Sequence, residues 1–183
     1  MDTQDCILFS GAAKGAEAAF GAAAERYQIA EVNFTFEGHN DERTRGIRVL
    51  TQAELNQGDV SLHYVGRLMH RSFPDTPGFR RILQCIWHQI NSGQEVFIVG
   101  HILDDDTVKG GTGWGAEFAK LCNKQPRVFD QDTDGWFHWT GNSWEAESAP
   151  IIQHGTLAGG GTRVLKENGL AAINDLFDRS FGA

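Results

Sequence analysis

Two glycine-rich octets in the sequence have the composition of loops that bind phosphate groups. Residues 10–17 read SGAAKGAE and residues 110–117 read GGTGWGAE, and four of the eight aligned positions are identical. Glycine allows the backbone to approach a ligand closely, and the first N–H groups of a following helix carry a partial positive charge. Each octet therefore predicts a site for an anion at the start of a helix.

A third glycine-rich segment, residues 158–163 (AGGGTR), is predicted to be a loop with an arginine at the mouth of the next helix. That guanidinium could hold a phosphate or a carboxylate with two hydrogen bonds. Neither octet matches GxGxxG or GxxxxGK[ST], so the ordinary NAD and ATP fingerprints are unsupported. The residues predicted to contact a ligand supply backbone amides, hydroxyl groups, cations or an aromatic ring: Ser10, Gly11, Lys14, Gly15, Gly110, Gly111, Thr112, Gly113, Trp114, Gly160, Gly161, Thr162 and Arg163.

Some of these positions have two interpretations. Glu17 and Glu117 end the two octets, where a carboxylate either stabilises the helix dipole or, in an enzyme, serves as general acid or base. Trp114 either stacks on a base and closes the pocket or packs on its neighbours. The run Asp104-Asp105-Asp106 could hold Mg²⁺ bridged to phosphate, with a solvated turn as the alternative. No other cofactor is predicted.

The octets must be positioned by strands and helices that alternate along the chain. Residues 5–10 and 30–37 are predicted strands on either side of a helix that begins at Ala16. Residues 95–100 and 127–130 form a second such pair, with a helix between them. This alternation predicts one α/β domain over residues 1–183, with a mainly parallel open sheet.

The remaining segments complete this prediction. Residues 39–48 are polar and are predicted to form a surface loop, and two helices are predicted to begin at a cap formed by Asp59 and at Thr76-Pro77. Residues 135–146 (GWFHWTGNSWEA) predict a small β-hairpin. Its three tryptophans, Trp136, Trp139 and Trp144, either line a ligand or subunit contact or stabilise cross-strand pairs.

Composition excludes several classes of partner. The 24 acidic and 16 basic residues leave a net charge of −8, with a pI near 5.3, which argues against broad electrostatic binding to nucleic acid or a membrane surface. No apolar run approaches the ~20 residues that a membrane crossing needs, so we expect a cytoplasmic protein. The three cysteines, Cys6, Cys85 and Cys122, are predicted to be buried thiols rather than metal ligands or a disulfide framework.

Three segments carry a resemblance to a known superfamily. Residues 10–17 resemble the SGGAxGAD opening of YpsA-like proteins, and residues 107–119 and 158–169 resemble the circularly permuted branch that includes molybdenum cofactor carrier proteins. Both branches belong to the SLOG superfamily, which joins DprA-like and lysine-decarboxylase-like LOG proteins. The resemblance implies a single-domain Rossmann-like three-layer fold, a homo-oligomer, and a pocket for a nucleotide or a nucleotide-derived ligand at the strand ends.

One motif departs from the LOG pattern. LOG enzymes, which release the base from a nucleoside monophosphate, carry a PGGxGTxxE motif, and Leu165 occupies the position of its glutamate here. We therefore expect binding of a phosphate-bearing nucleotide or nucleotide-derived molecule, such as a signalling nucleotide or a pterin-type cofactor. A LOG-like hydrolase of N-glycosidic or phosphoester bonds, using Glu17 or Glu117, is one alternative. An oligomeric interaction protein that docks through the tryptophan hairpin is another.

Overall fold

One sheet of eight strands runs through the computed structural model, which describes residues 1–182. The strands are β1 (Ile7–Ser10), β2 (Ala30–Thr35), β3 (Ile47–Val49), β4 (Glu95–Gly100), β5 (Arg127–Asp130), β6 (Gly135–Trp139), β7 (Trp144–Glu147) and β8 (Thr156–Gly161). The helices are α1 (Ala16–Arg26), α2 (Gln52–Asn56), α3 (Asp59–Leu68), α4 (Pro77–Ser92), α5 (Thr112–Leu121) and α6 (Glu167–Phe181). The order across the sheet is β3-β2-β1-β8-β4-β5-β6-β7.

The structure confirms the predicted α/β fold. Strands β1 to β5 and β8 pair in parallel, whereas β6 and β7 add an antiparallel hairpin at one edge. Strand β4 is buried at all six positions, as its apolar sequence EVFIVG predicts for a parallel strand covered on both faces. The result is the mainly parallel open sheet of a Rossmann-like domain.

Helices cover both faces of the sheet and give three layers. Helices α1 and α6 pack on one face, where Phe20 and Phe177 meet at 6.3 Å between ring centroids. Helices α3, α4 and α5 cover the other face, where Leu62, Leu83 and Phe118 are fully or almost fully buried. None of the helices formed by residues 1–182 combines the length and the apolar character needed to cross a membrane.

The third glycine-rich segment differs from its prediction. Gly159, Gly160 and Gly161 are not a loop but the end of β8, the strand between β1 and β4. A side chain at Gly159 would place its first carbon 2.6 Å from the Phe20 ring, so the missing side chain is what lets α1 pack closely on the middle strand. Arg163 lies two residues after the end of β8, and α6 begins only at Glu167, so Arg163 does not lie at the start of a helix as predicted.

Smaller differences concern local capping and exposure. The predicted loop at residues 39–48 is too long, because Ile47 and Arg48 belong to β3, which pairs with β2 at the edge of the sheet. Helix α2 had no predicted counterpart. The cap of α3 is Gly58, and Asp59 instead lies in the first turn, where it pairs with Arg80 at 2.8 Å. Cys122 is exposed, whereas Cys6 and Cys85 are buried as predicted.

The predicted hairpin is confirmed, and its tryptophans contact other residues of the same chain. Trp136 is buried and packs edge-on against Phe97 and Phe129. Trp139 and Trp144 are cross-strand partners whose ring centroids lie 5.2 Å apart. These contacts favour the structural interpretation of the tryptophans over a docking surface.

The close packing of Phe20 on β8 can be tested by adding a methyl group at Gly159. We expect Gly159→Ala to lower the free energy of unfolding by about 1–3 kcal/mol, because the added methyl group overpacks against the buried Phe20 ring. Urea denaturation followed by far-UV circular dichroism measures this loss.

Gly78→Ala is the matched control. Gly78 lies in the first turn of α4, and an added methyl group there meets no atom within 4 Å. The control should be neutral or gain up to about 1 kcal/mol from helix propensity. Equal stabilities for the two variants would contradict the close packing of Phe20 on β8.

Candidate functional site

A cleft of about 480 Å³ opens at the carboxyl ends of β1, β8 and β4. The chain leaves β1 towards β2 on one side of the sheet and leaves β4 towards β5 on the other, so the cleft lies where the direction of the strand order reverses. Ligands of open α/β sheets bind at such a switch point, and the volume lies in the range of small-molecule sites. This cleft is the candidate functional site.

All three glycine-rich segments contribute to the cleft. Ala13 and Glu17 line it from the first octet, residues 110–112 from the second, and residues 161–164 from the end of β8. The first and third segments also contact each other, because the Ala16 amide donates to the carbonyl oxygen of Thr162 at 2.9 Å. Gly15 makes this contact possible, since a side chain there would lie 2.5 Å from that oxygen.

Three backbone amides of the first octet form hydrogen bonds within the protein. The Ala12 amide donates to Asn33 Oδ1 at 3.2 Å, the Ala13 amide donates to Glu17 Oε2 at 2.9 Å, and the Ala16 amide is bonded to Thr162. Glu17 thus supplies an internal carboxyl group where a bound anion was predicted. The first octet shapes the cleft, but these three amides are already occupied.

The second octet keeps its amides available. Helix α5 begins at Thr112, and the amides of Gly111 and Thr112 have no hydrogen-bond partner among residues 1–182. Gly110 has a φ of +70°, a conformation that glycine adopts without strain. The positive end of the helix dipole therefore faces the cleft with unpaired donors.

Two cations line the cleft near these amides. Lys109 precedes the second octet and Arg163 follows β8, and both are exposed at the cleft. Within residues 1–182 no carboxylate lies within 4.0 Å of either charged group. In a chain with a net charge of −8, two unpaired cations beside a helix start give this cleft a locally positive potential.

Part of the cleft wall is apolar. It is formed by Phe79, Ile82 and Ile86, which repeat along one face of α4, and Phe79 lies next to Gly111. The cleft thus offers both charge-assisted hydrogen bonds and an apolar surface, a combination that fits an anion attached to a larger organic group.

Glu17 is the acidic side chain in the cleft, and it is buried. Its Oε1 accepts from Gln89 Nε2 at 3.2 Å, in addition to the bond from Ala13. Burial raises the pKa of the Glu17 carboxyl, against the opposing effect of these two hydrogen bonds. A buried carboxyl with a raised pKa at the edge of a cleft is a feature that functional sites often have.

Several predicted contact residues lie outside the lining of this cleft and have structural contacts. Ser10 Oγ donates to the Gly159 carbonyl oxygen at 2.7 Å and ties β1 to β8. Trp114 is buried, and its Nε1 donates to the Leu62 carbonyl oxygen at 3.2 Å, so packing rather than stacking on a cleft ligand explains its burial. Gly113 lies against the backbone of Val108, where a side chain would approach an oxygen to 2.2 Å.

Lys14, Gly11, Gly160 and Glu117 are also absent from the lining. Lys14 is exposed, and Gly11 and Gly160 pack near Gln89. Glu117 pairs with Lys120 at 2.6 Å, and Lys120 lies over the Trp139 ring at 3.8 Å. Of the two predicted catalytic candidates, Glu17 alone lines the cleft.

The acidic run 104–106 forms a turn outside the cleft. Asp105 accepts hydrogen bonds from the amide and the hydroxyl group of Thr107, in agreement with the solvated-turn alternative. A different group, His101, Asp130 and Asp132, brings its ligand atoms within 4.8 Å of one another. Asp130 already accepts bonds from three backbone amides, and both ring nitrogens of His101 have partners. These bonds hold a turn together and compete with a metal ion.

A larger hollow of about 590 Å³ lies at the opposite, amino-terminal edge of the parallel strands. Its Lys124 ammonium donates to the carbonyl oxygens of Ile90, Asn91 and Gly93, so it caps the end of α4. Glu95 there accepts bonds from two backbone amides. Because its charged groups are engaged, this hollow is a weaker candidate than the cleft.

The state of Glu17 can be tested through the pH dependence of stability. Because the pKa of Glu17 is raised on folding, the free energy of unfolding should fall as pH rises above the ordinary glutamate value of about 4.3. The fall should continue up to the pKa of the folded state. Glu17→Gln should remove this contribution in urea denaturation measured between pH 4 and 8.

Glu25→Gln on the same helix supplies a control of opposite sign. The Arg43 guanidinium holds the pKa of the Glu25 carboxyl below its usual range, so that contribution to stability is lost as pH falls. A Glu17→Gln profile parallel to that of the unmodified protein would show that burial does not perturb Glu17.

No known protein or protein family resembles this chain closely enough to indicate a function, so the support for a function comes from the geometry of the cleft. No protein-family model matches the chain, no curated protein matches it, and no solved structure matches it. The resemblance of residues 10–17, 107–119 and 158–169 to the SLOG superfamily therefore stays a prediction.

Proposed function

We propose that this protein binds a phosphate-bearing nucleotide or nucleotide-derived small molecule in the cleft at the ends of β1, β8 and β4. The observation that carries the proposal is the pairing of unpartnered donors with an apolar wall. The donors are the amides of Gly111 and Thr112 and the charged groups of Lys109 and Arg163. The apolar wall is formed by Phe79, Ile82 and Ile86 of α4, which line the same cleft.

The donors fit phosphate better than a carboxylate. A phosphate group has three oxygens that accept in different directions, and the cleft supplies backbone amides, an ammonium and a guanidinium from two separate loops. The apolar wall exceeds what an inorganic anion would need, because Phe79, Ile82 and Ile86 cannot hydrogen-bond. A sugar or a ring attached to the phosphate would bury that surface.

Glu17 is compatible with an anionic ligand because both of its oxygens already accept hydrogen bonds within the protein, from the Ala13 amide and from Gln89 Nε2. Burial also raises its pKa, which shifts the carboxyl towards the uncharged form. The sequence also predicts a homo-oligomer and a possible Mg²⁺ ion. This proposal requires neither of them, and both remain predictions.

The cations give the first binding test. We expect Arg163→Gln to weaken binding of a nucleoside phosphate about tenfold, because it removes a charge-assisted hydrogen bond. Lys109→Gln should weaken binding about fivefold. Calorimetric titration with a panel of nucleoside mono-, di- and triphosphates measures the change.

Lys14→Gln is the matched control, because Lys14 is an exposed cation that does not line the cleft. Its affinity should stay within about twofold of the unmodified protein, as expected for a screened surface charge. Absence of binding by every member of the panel would overturn the proposal. Equal losses in all three variants would show that net charge, not the cleft, attracts the ligand.

A second candidate function is hydrolysis of the N-glycosidic bond of a nucleotide, and the position of Glu17 favours it. Here the C–N bond to the base breaks as water adds to the sugar carbon. The Glu17 proton goes to the departing nitrogen, and the proton of the water returns to Glu17. This chemistry needs a carboxyl at the cleft that can give up a proton, and Glu17 lines the cleft with a pKa that burial raises above the ordinary glutamate value.

Catalysis and binding can be separated by chromatography of nucleoside monophosphates after incubation with the protein. A hydrolase that uses Glu17 should release free base and should lose at least about a hundredfold in rate in Glu17→Gln. Glu117→Gln, in which the altered carboxyl lies outside the cleft and pairs with Lys120, should keep its rate. Recovery of intact nucleotide from the unmodified protein and from both variants would contradict hydrolysis and would support binding without catalysis.

A further inference from the structure

A second hollow of about 480 Å³ adjoins the cleft. The two share Phe79, Gly110 and Gly111 in their linings. The rest of the second hollow is formed by Leu103 and Trp114 and by residues 71–74. The start of the second octet therefore borders both hollows.

Two glycines and one aromatic ring form the shared border of the hollows. Gly110 adopts a positive φ, and a first side-chain carbon placed there would meet no atom within 4 Å. A carbon placed on Gly111 would lie 3.7 Å from both Phe79 and Leu83, in ordinary contact. The border thus has open space at Gly110, whereas Gly111 packs against helix α4.

The second hollow differs in chemistry from the cleft. Phe73 is half-buried and packs edge-on against Trp114, with ring centroids 5.9 Å apart. Arg71, the cation that lines this hollow, donates to the Val108 carbonyl oxygen at 2.8 Å and to Thr107 Oγ1. Because that guanidinium is engaged, the hollow offers aromatic and aliphatic surface to an uncharged, flat group.

We propose that the second hollow holds the base of a nucleoside phosphate whose phosphate group lies on the amides of Gly111 and Thr112. The assignment rests on the function proposed above, since it needs the phosphate in the cleft. In this assignment the base gains its affinity from contact with Phe73 and Phe79. A charged side chain introduced into the second hollow should remove that affinity. Stacking on aromatic side chains tolerates different bases, so discrimination among bases should be weak.

Calorimetry with adenosine monophosphate and ribose 5-phosphate as probes tests the assignment. The nucleotide should bind about tenfold more tightly than the sugar phosphate. Leu103→Glu should abolish this difference, because it places a carboxylate in the hollow at a side chain that is 37% exposed and tolerates substitution. Leu121→Glu, the same change at a 48% exposed position elsewhere, should leave the difference intact.

Phe73→Leu provides a second variant, at a residue that lines the second hollow and not the cleft. It should bind ribose 5-phosphate within about twofold of the unmodified protein and weaken adenosine monophosphate about tenfold, because it removes an aromatic ring on which the base would stack. Circular dichroism confirms that each variant is folded.

Other results overturn the assignment in distinguishable ways. Equal affinities for adenosine monophosphate and ribose 5-phosphate would show that the base does not bind in the second hollow. A difference between the two affinities that persists in Leu103→Glu would show the same. Neither result would contradict the phosphate site in the cleft. Tighter binding of octyl phosphate than of adenosine monophosphate would assign the hollow to an alkyl chain. Failure of both phosphorylated probes, with no heat from any nucleotide, would overturn the proposed function together with this assignment.

Discussion

The close approach of backbone to backbone around β8 is the constraint on which the rest of the site depends. β8 lies between β1 and β4, and its glycines allow the Phe20 ring to rest on the strand. At its end Gly161 has a φ of +146°, and a side chain there would lie 2.1 Å from the Val99 carbonyl oxygen. The chain can therefore turn directly after the strand, which brings Thr162 against Gly15 and sets the floor of the cleft.

The two octets show how similar sequences can take different roles. Helix α1 begins at Ala16, the seventh position of the first octet, whereas α5 begins at Thr112, the third position of the second. Glu17 consequently lies in the first turn of its helix and bonds the Ala13 amide, while Glu117 lies further along α5 and pairs with Lys120. The shift leaves one octet with an internal carboxyl group and the other with unpaired amides.

The parts of the fold that local patterns determine could be predicted from the sequence. The buried run of β4, the start of α4 at Thr76-Pro77 and the hairpin all follow from hydrophobic spacing and turn residues. The glycine run of β8 could not be recognised as a strand, since glycine is depleted in strands and its partner, Phe20, lies far away in the chain. The sequence also did not identify Lys109 or the apolar wall of α4 as parts of the site. Which loop and which helix face border the cleft depends on the sheet topology, which local patterns do not determine.

Charge and shape act at different ranges in this molecule. The net charge of −8 disfavours anions at a distance, so selection of the proposed anionic ligand would depend on short-range hydrogen bonds from Lys109, Arg163 and the start of α5. Those bonds would fix the position of a phosphate but not what is attached to it. The apolar wall of α4 and the second hollow that adjoins the cleft at Gly110 and Gly111 would limit the attached group by its shape. The ligand that we propose is therefore anionic at one end and apolar at the other.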